Sequence, residues 1–322
     1  MPESPARSGF RTLAFAGLAA VFVLGAVEGG LRIWAPRAGL GMNFPEQNRQ
    51  IDDGALYRPD PDLFWRLRPR AGQEEKTNDY GYRSPRVPAV KPAGEVRVVA
   101  LGDSCTFGVN VRMRESYPLV AGAVLRARSA RAVEVIDAGV PGYTSLQAVR
   151  SFVRDLLRFS PDAATLYVGW NDINRAVYLP DRKQNAWRTY ARPARALLSR
   201  SRLYGALAAL ILARKDPGPR VGPADYRENL LALDAACRAR GIALVLLTVP
   251  TPGADFRYNP IVRQVAQERG IAYVDLQADM PRPRDALFGD DGTHPNAAGY
   301  RWIGGALADA LCRAVPALAC AR

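Results

Sequence analysis

From about residue 95 onward, short aliphatic and β-branched runs alternate with longer stretches whose apolar residues recur every three to four positions. Runs of the first kind read as buried parallel strands. They predict strands at 97–101, 133–138, 164–168, 243–248 and 272–275. Stretches of the second kind predict helices over 117–128, 145–159, 225–240, 261–269 and 296–314. Strands separated by helices pair in parallel and are covered on both faces, so the expected fold class is α/β, a three-layer α/β/α sandwich. No internal repeat or low-complexity tract interrupts the pattern.

The amino-terminal end follows a different pattern. Residues 12–27 carry no charge, and after Glu28 the apolar character resumes through Gly29-Gly30-Leu31 and Ile33-Trp34. A bilayer needs about 20 predominantly apolar residues in a helix. The stretch is long enough if Glu28 is tolerated near one end, where charge costs less than at the bilayer centre and where Arg32 stands one turn away. Arg7 and Arg11 precede it, which favours a cytoplasmic amino terminus and an outward-facing remainder. A cleaved signal peptide is the rival, but no convincing Ala-x-Ala site follows. The expected organisation is therefore a cytoplasmic terminus at 1–11, a transmembrane signal anchor at 12–34, a spacer at 35–95 and a catalytic domain at 96–322. The spacer is rich in Pro, Gly, Asp and Arg, with aromatic punctuation from Phe44 to Tyr82, and is expected to pack partly on the domain.

Candidate chemistry sits where the strands end. The run Val98-Val99-Ala100-Leu101 breaks at Gly102-Asp103-Ser104, placing a serine at the rim where open α/β sheets bind ligands. The second strand runs into Asp137-Ala138-Gly139-Val140-Pro141-Gly142, and a glycine there presents a bare backbone N–H. The third ends in Gly169-Trp170-Asn171-Asp172, offering an amide at the same rim. His294 is the only histidine in 322 residues. It stands three residues after Asp291, a carboxylate able to fix the tautomer of a group that exchanges protons near neutral pH.

The order and spacing of these four blocks resemble those of the SGNH hydrolases, the GDSL esterase/lipase superfamily, over roughly residues 95–315. The resemblance implies a flavodoxin-like five-stranded parallel sheet, with Ser104 as nucleophile, Asp291 and His294 as its partners, and an oxyanion hole from the Ser104 and Gly142 N–H groups and the Asn171 amide. Two departures stand out: Asp137 replaces a frequent asparagine, and Cys105 follows the serine where bulkier apolar residues are common. The spacer carries Asn78-Asp79-Tyr80-Gly81-Tyr82-Arg83, similar to an Asn-x-x-Gly-x-Arg element of membrane-anchored bacterial members, with a packing role expected.

Ester cleavage needs these groups. A serine hydroxyl attacks an acyl carbon only if a base takes its proton, and an oxyanion donor is typically worth about a hundred- to a thousandfold in rate. No cofactor is called for, and one histidine with four scattered cysteines gives no zinc spacing. Cys105 and Cys237 read as buried; Cys312 and Cys320 are close enough to pair, with Pro316 between them to turn the chain. The formal net charge is +13. Residues 173–222 hold eleven basic against two acidic residues, from Arg175 to Arg220. They form a basic insertion at the rim of the site, with an apolar helix near 203–213 that reads as core packing, a membrane-facing lid or a wall for acidic polymers. Nucleic acid is disfavoured for an outward-facing chain.

The expected function is a membrane-anchored serine esterase, its domain periplasmic or extracellular, acting on acyl esters such as O-acetyl groups of envelope or exported glycans or of lipids. The alternatives are an O-acyltransferase using the same site on polysaccharide, and a catalytically idle envelope-binding protein.

Overall fold

The computed structural model describes residues 5–34, 56–70, 77–177, 179–190, 201–213 and 217–321. The expected spacer at 35–95 and the basic insertion at 173–222 thus lie partly outside the described residues. Helix α1 (Pro5–Trp34) opens the chain. Its stretch Ala14–Ile33 is long and apolar enough to cross a membrane, and none of it is buried against the rest of the protein. A two-stranded antiparallel hairpin follows, β1 (Tyr57–Asp60) and β2 (Phe64–Leu67).

The domain then alternates strand and helix: β3 (Val96–Gly102), the single turn α2 (Ser104–Phe107), α3 (Tyr117–Arg128), β4 (Val133–Gly139), α4 (Ser145–Ser151), β5 (Ala163–Tyr167), α5 (Asp181–Tyr190), α6 (Arg202–Ala213), α7 (Pro223–Arg238), β6 (Ala243–Leu247), α8 (Asn259–Arg269), β7 (Ala272–Val274) and α9 (Ala297–Ala314). The sheet is five-stranded and parallel, in the order β4-β3-β5-β6-β7. Apart from the edge strand β7, its strands are largely buried because helices cover both faces, α3 packing with α9, and α7 with α4 and α8. The chain order reverses at β3, so β4 and β5 flank it and their carboxyl ends converge on one rim, the position where such sheets place ligands.

The stretch 145–159 is not one regular helix. After α4 it widens into a π-type turn at Phe152–Leu156 and closes with a 3₁₀ turn at Leu157–Phe159. At the junction the Ser151 hydroxyl donates to the Ala148 carbonyl at 2.8 Å, competing with the backbone ladder.

Outside the sandwich, the hairpin packs on it and two further helices pack on each other. Leu56, Tyr57, Leu63, Phe64, Trp65 and Leu67 of the hairpin form one buried cluster with Phe107, Val140 and Tyr143 of the domain. Helix α6, the apolar helix of the insertion, meets α1. The Glu28 carboxylate accepts from the Arg202 and Leu203 N–H groups and the Ser201 hydroxyl, each at 2.9 Å, and from Arg32 Nε at 2.8 Å. A carboxylate there caps the first turn of α6 and complements its dipole. Cys312 and Cys320 form a disulfide, while Cys105 and Cys237 are free and buried.

Candidate active site

Ser104 stands at the sharp turn from β3 into α2. Asp103 makes that turn: its Oδ1 accepts from the Cys105 N–H at 2.9 Å, capping α2. Glycines are required on either side of it. A Cβ at Gly102 would lie 1.8 Å from Thr106 Oγ1, and one at Gly139 would lie 2.2 Å from the Phe107 nitrogen. The carboxyl end of α2 is held from outside the sandwich by Arg83, whose guanidinium donates to the Phe107, Gly108 and Val111 carbonyls and stacks over the Phe107 ring. Packing is thus what the Asn78-x-x-Gly81-x-Arg83 element does, and what it packs is the serine's turn.

His294 arrives on the loop before α9, whose start is fixed by Asn296 accepting from the Ala298 and Gly299 N–H groups. His294 Nε2 lies 2.8 Å from Ser104 Oγ, and His294 Nδ1 lies 2.6 Å from Asp291 Oδ2. The other Asp291 oxygen accepts from the His294 and Thr293 N–H groups at 2.8 and 2.9 Å. Burial alone would raise the Asp291 carboxyl, but these bonds outweigh it and hold the group below its ordinary value. An ionised Asp291 keeps the proton on Nδ1 and leaves Nε2 free to accept from the serine hydroxyl.

Asn171 follows β5 and is 8% exposed. Its Nδ2 donates to the Tyr143 carbonyl at 3.1 Å and to Asp103 Oδ2 at 3.3 Å, so it offers a proton to an oxyanion only by sharing the longer contact. Gly142 has φ +84°, a left-handed value that favours glycine. Among the described residues, neither the Ser104 nor the Gly142 N–H donates a hydrogen bond.

Three buried carboxyls support the rim. Burial pushes Asp103 up to about 6, against pulls from the Cys105 N–H, His294 and Asn171. Burial likewise raises Asp137 to about 7, against the Gly139 N–H, Arg83 and Ser116. Asp172 rises to about 8 by burial, against the Ser145 hydroxyl and N–H. At this place, often held by an asparagine, the Asp137 oxygens accept from the Ser116 hydroxyl at 2.9 Å and the Gly139 N–H at 3.0 Å. Cys105 is fully buried, and burial lifts its thiol well above the ordinary range, so it carries little thiolate to act as a second nucleophile. Among the described residues no group of three or more His, Cys, Asp or Glu side chains is placed to hold a metal ion.

The structure brings Ser104, His294 and Asp291 into one hydrogen-bonded chain, with Asn171 tied to the Asp103 that caps the serine's turn. The profile of the GDSL-like lipase/acylhydrolase family matches residues 100–302. The chain belongs to that family. It is an SGNH-type hydrolase, and its sheet and flanking helices have the SGNH arrangement. Similar solved structures include a lipase/acylhydrolase from Enterococcus faecalis (19% identity, TM-score 0.48, 67% of this chain and 95% of that one). Another is an acetyl-xylooligosaccharide esterase from Geobacillus (20%, 0.46, 68% and 94%), and a third a psychrotrophic esterase from Pseudoalteromonas (17%, 0.45, 67% and 97%). No curated protein matches the chain.

Sequence reasoning about this GDSL-like hydrolase missed Trp65 and Arg220, both of which reach the Gly142 loop. Arg220 was one of the insertion's surface charges by composition. It is instead buried, with Nη2 2.9 Å from the Asp181 carboxylate. The signal available was its position immediately before the next helix, outside the run of closely spaced arginines.

Proposed function

We propose that the protein is a serine esterase that cleaves acyl esters, O-acetyl groups of envelope or exported glycans or lipids among them, through an acyl-enzyme on Ser104. The observation that carries it is the chain from Ser104 Oγ through His294 to Asp291, at 2.8 and 2.6 Å. As Oγ attacks the acyl carbon, His294 Nε2 takes its proton, and Asp291 stabilises the imidazolium. The oxyanion is met by the Ser104 and Gly142 N–H groups and the Asn171 amide. His294 then gives the proton to the leaving alcohol, and a water activated by the same nitrogen releases the acid. No step needs a metal or a cofactor.

The proposed organisation places 1–11 in the cytoplasm, 12–34 across the membrane, 35–95 as spacer and 96–322 outside. Glu28, near the outer end of α1, supports a tie between anchor and insertion because it caps α6. Such a tie keeps the active-site rim near the bilayer, where lipids and envelope glycans are. Assaying the full-length chain on 4-nitrophenyl acetate and on acetylated glycans, with and without glycan acceptors, tests this function. Release of free acetate supports an esterase, and acetylated acceptor in place of free acetate supports an acyltransferase. No turnover of any ester would overturn both.

A further inference from the structure

Residues 140–143 form a tight turn in which the Tyr143 N–H donates to the Val140 carbonyl at 3.0 Å. Proline in the second position and a glycine with φ +84° in the third are the type II pattern. In such a turn the central peptide, here Pro141–Gly142, is the unit whose rotation interconverts type II and type I. That peptide carries the Gly142 N–H. Because a trans peptide is planar, its C=O and N–H point in opposite directions, so whatever grips the Pro141 oxygen also aims the Gly142 N–H.

Trp65 grips it. The indole Nε1 donates to the Pro141 carbonyl at 3.2 Å. Trp65 is itself fixed, being 1% exposed, edge-on to the Tyr143 ring at 5.8 Å, and accepting at its carbonyl from the Tyr143 hydroxyl at 2.8 Å. The next two carbonyls of the turn are also engaged. Arg220 Nη1 donates to Gly142 O at 2.7 Å, and Asn171 Nδ2 to Tyr143 O at 3.1 Å. The Arg220 guanidinium lies over the Trp65 ring at 5.6 Å and bonds Gln147, whose amide donates to Leu63 O in the hairpin at 2.7 Å.

We propose that Trp65, on a hairpin ahead of the stretch that the family profile matches, is a positioning residue for acyl transfer. Its indole N–H locks the Pro141–Gly142 peptide so that the Gly142 N–H stays aimed at the oxyanion. This rests on the reading of Gly142 as an oxyanion donor. It makes the hairpin part of the catalytic apparatus, joining the membrane-proximal segment to the site. Without the indole donor the peptide is freer to rotate, and in the rotated state it turns its carbonyl where the N–H had been.

The test compares full-length, detergent-solubilised wild type with Trp65→Phe and with a protein carrying benzothienylalanine at position 65, which keeps the bicyclic shape and lacks the N–H. Asn171→Ala serves as the reference loss of an oxyanion donor. With 4-nitrophenyl acetate, both position-65 variants should lose on the order of ten- to a hundredfold in kcat, less than or equal to the loss of a whole donor, with KM within about threefold. Affinity for an alkyl boronic acid, whose adduct on serine is tetrahedral, should fall by a similar factor. Should Trp65→Phe fail to fold, the benzothienylalanine protein decides. A folded benzothienylalanine protein with wild-type kcat, or with only KM raised, overturns the proposal. If Asn171→Ala nonetheless lowers kcat, the oxyanion hole stands and only the role of Trp65 fails. If Asn171→Ala leaves kcat unchanged, the oxyanion assignment itself is wrong.

Discussion

Replacing Arg220 with methionine removes a guanidinium of which 3% is exposed from an Asp181 side chain that is fully buried. The side chain also donates to Gly142 O at 2.7 Å and Gln147 Oε1 at 2.8 Å, so three acceptors lose a partner at once. Breaking a buried ion pair from one side costs about 3–5 kcal/mol, chiefly because the surviving charge stays out of water. For a domain of this size each kcal/mol moves Tm by about 2–4 °C, so Arg220→Met should melt on the order of 10 °C below wild type. Removing the stranded carboxylate as well, in Arg220→Met/Asp181→Leu, should recover at least half of that loss, because contacting residues are non-additive. Thermal unfolding of the full-length chain in detergent, followed by circular dichroism, reads both. A single variant within 2 °C of wild type, or a double variant no more stable than the single one, would refute the idea of a dry, mutually dependent pair beneath the oxyanion loop.

His294→Ala should be nearly as damaging to ester turnover as Ser104→Ala and Asp291→Asn less so, while Ser104→Ala/His294→Ala should be little worse than either single variant; multiplicative losses would mean that the groups act separately. For pH, the raised carboxyls of Asp103, Asp137 and Asp172, at about 6, 7 and 8, are protonated more in the folded than the unfolded chain. Their contribution to stability is therefore complete below about pH 4 and is lost as the pH rises through 8, so Tm should fall between about pH 5 and 8 and level off above that. Asp172→Asn should flatten that fall, and an unchanged slope would contradict the assignment. A reporter fused after residue 36 should be exported while the protein resists alkaline washing from membranes; a shortened soluble product would show that 12–34 is a cleaved signal.

The sheet was legible because buried parallel strands are written as continuous apolar runs. The five expected strands differ from the observed ones by one residue at most ends. The candidate triad was legible for a related reason: strand ends are where chemistry must be polar, and Gly102-Asp103-Ser104 and Asp291-x-x-His294 break apolar patterns abruptly. What holds the site was legible only as a packing role for the Asn78–Arg83 element, without its partners. Trp65 and Arg83 lie in a spacer of low periodicity, and their partners are carbonyls of Pro141, Phe107 and Gly108, groups every residue carries. A hydrogen bond to backbone leaves no mark at the accepting position, so only the fold reveals the pairing. Arg220 was hidden by composition, since a charge count does not tell a buried arginine from a solvated one. The interruption of 145–159 was likewise invisible because its apolar spacing remains helical through Phe152, Leu156 and Phe159.

The central claim is that Ser104 is the nucleophile, and a fluorophosphonate followed by peptide mass spectrometry tests it most directly. The account predicts one adduct, on Ser104, forming far more slowly in His294→Ala, and no ester turnover in Ser104→Ala. An adduct on any other residue, or a Ser104→Ala protein keeping a tenth of the wild-type rate, would contradict it.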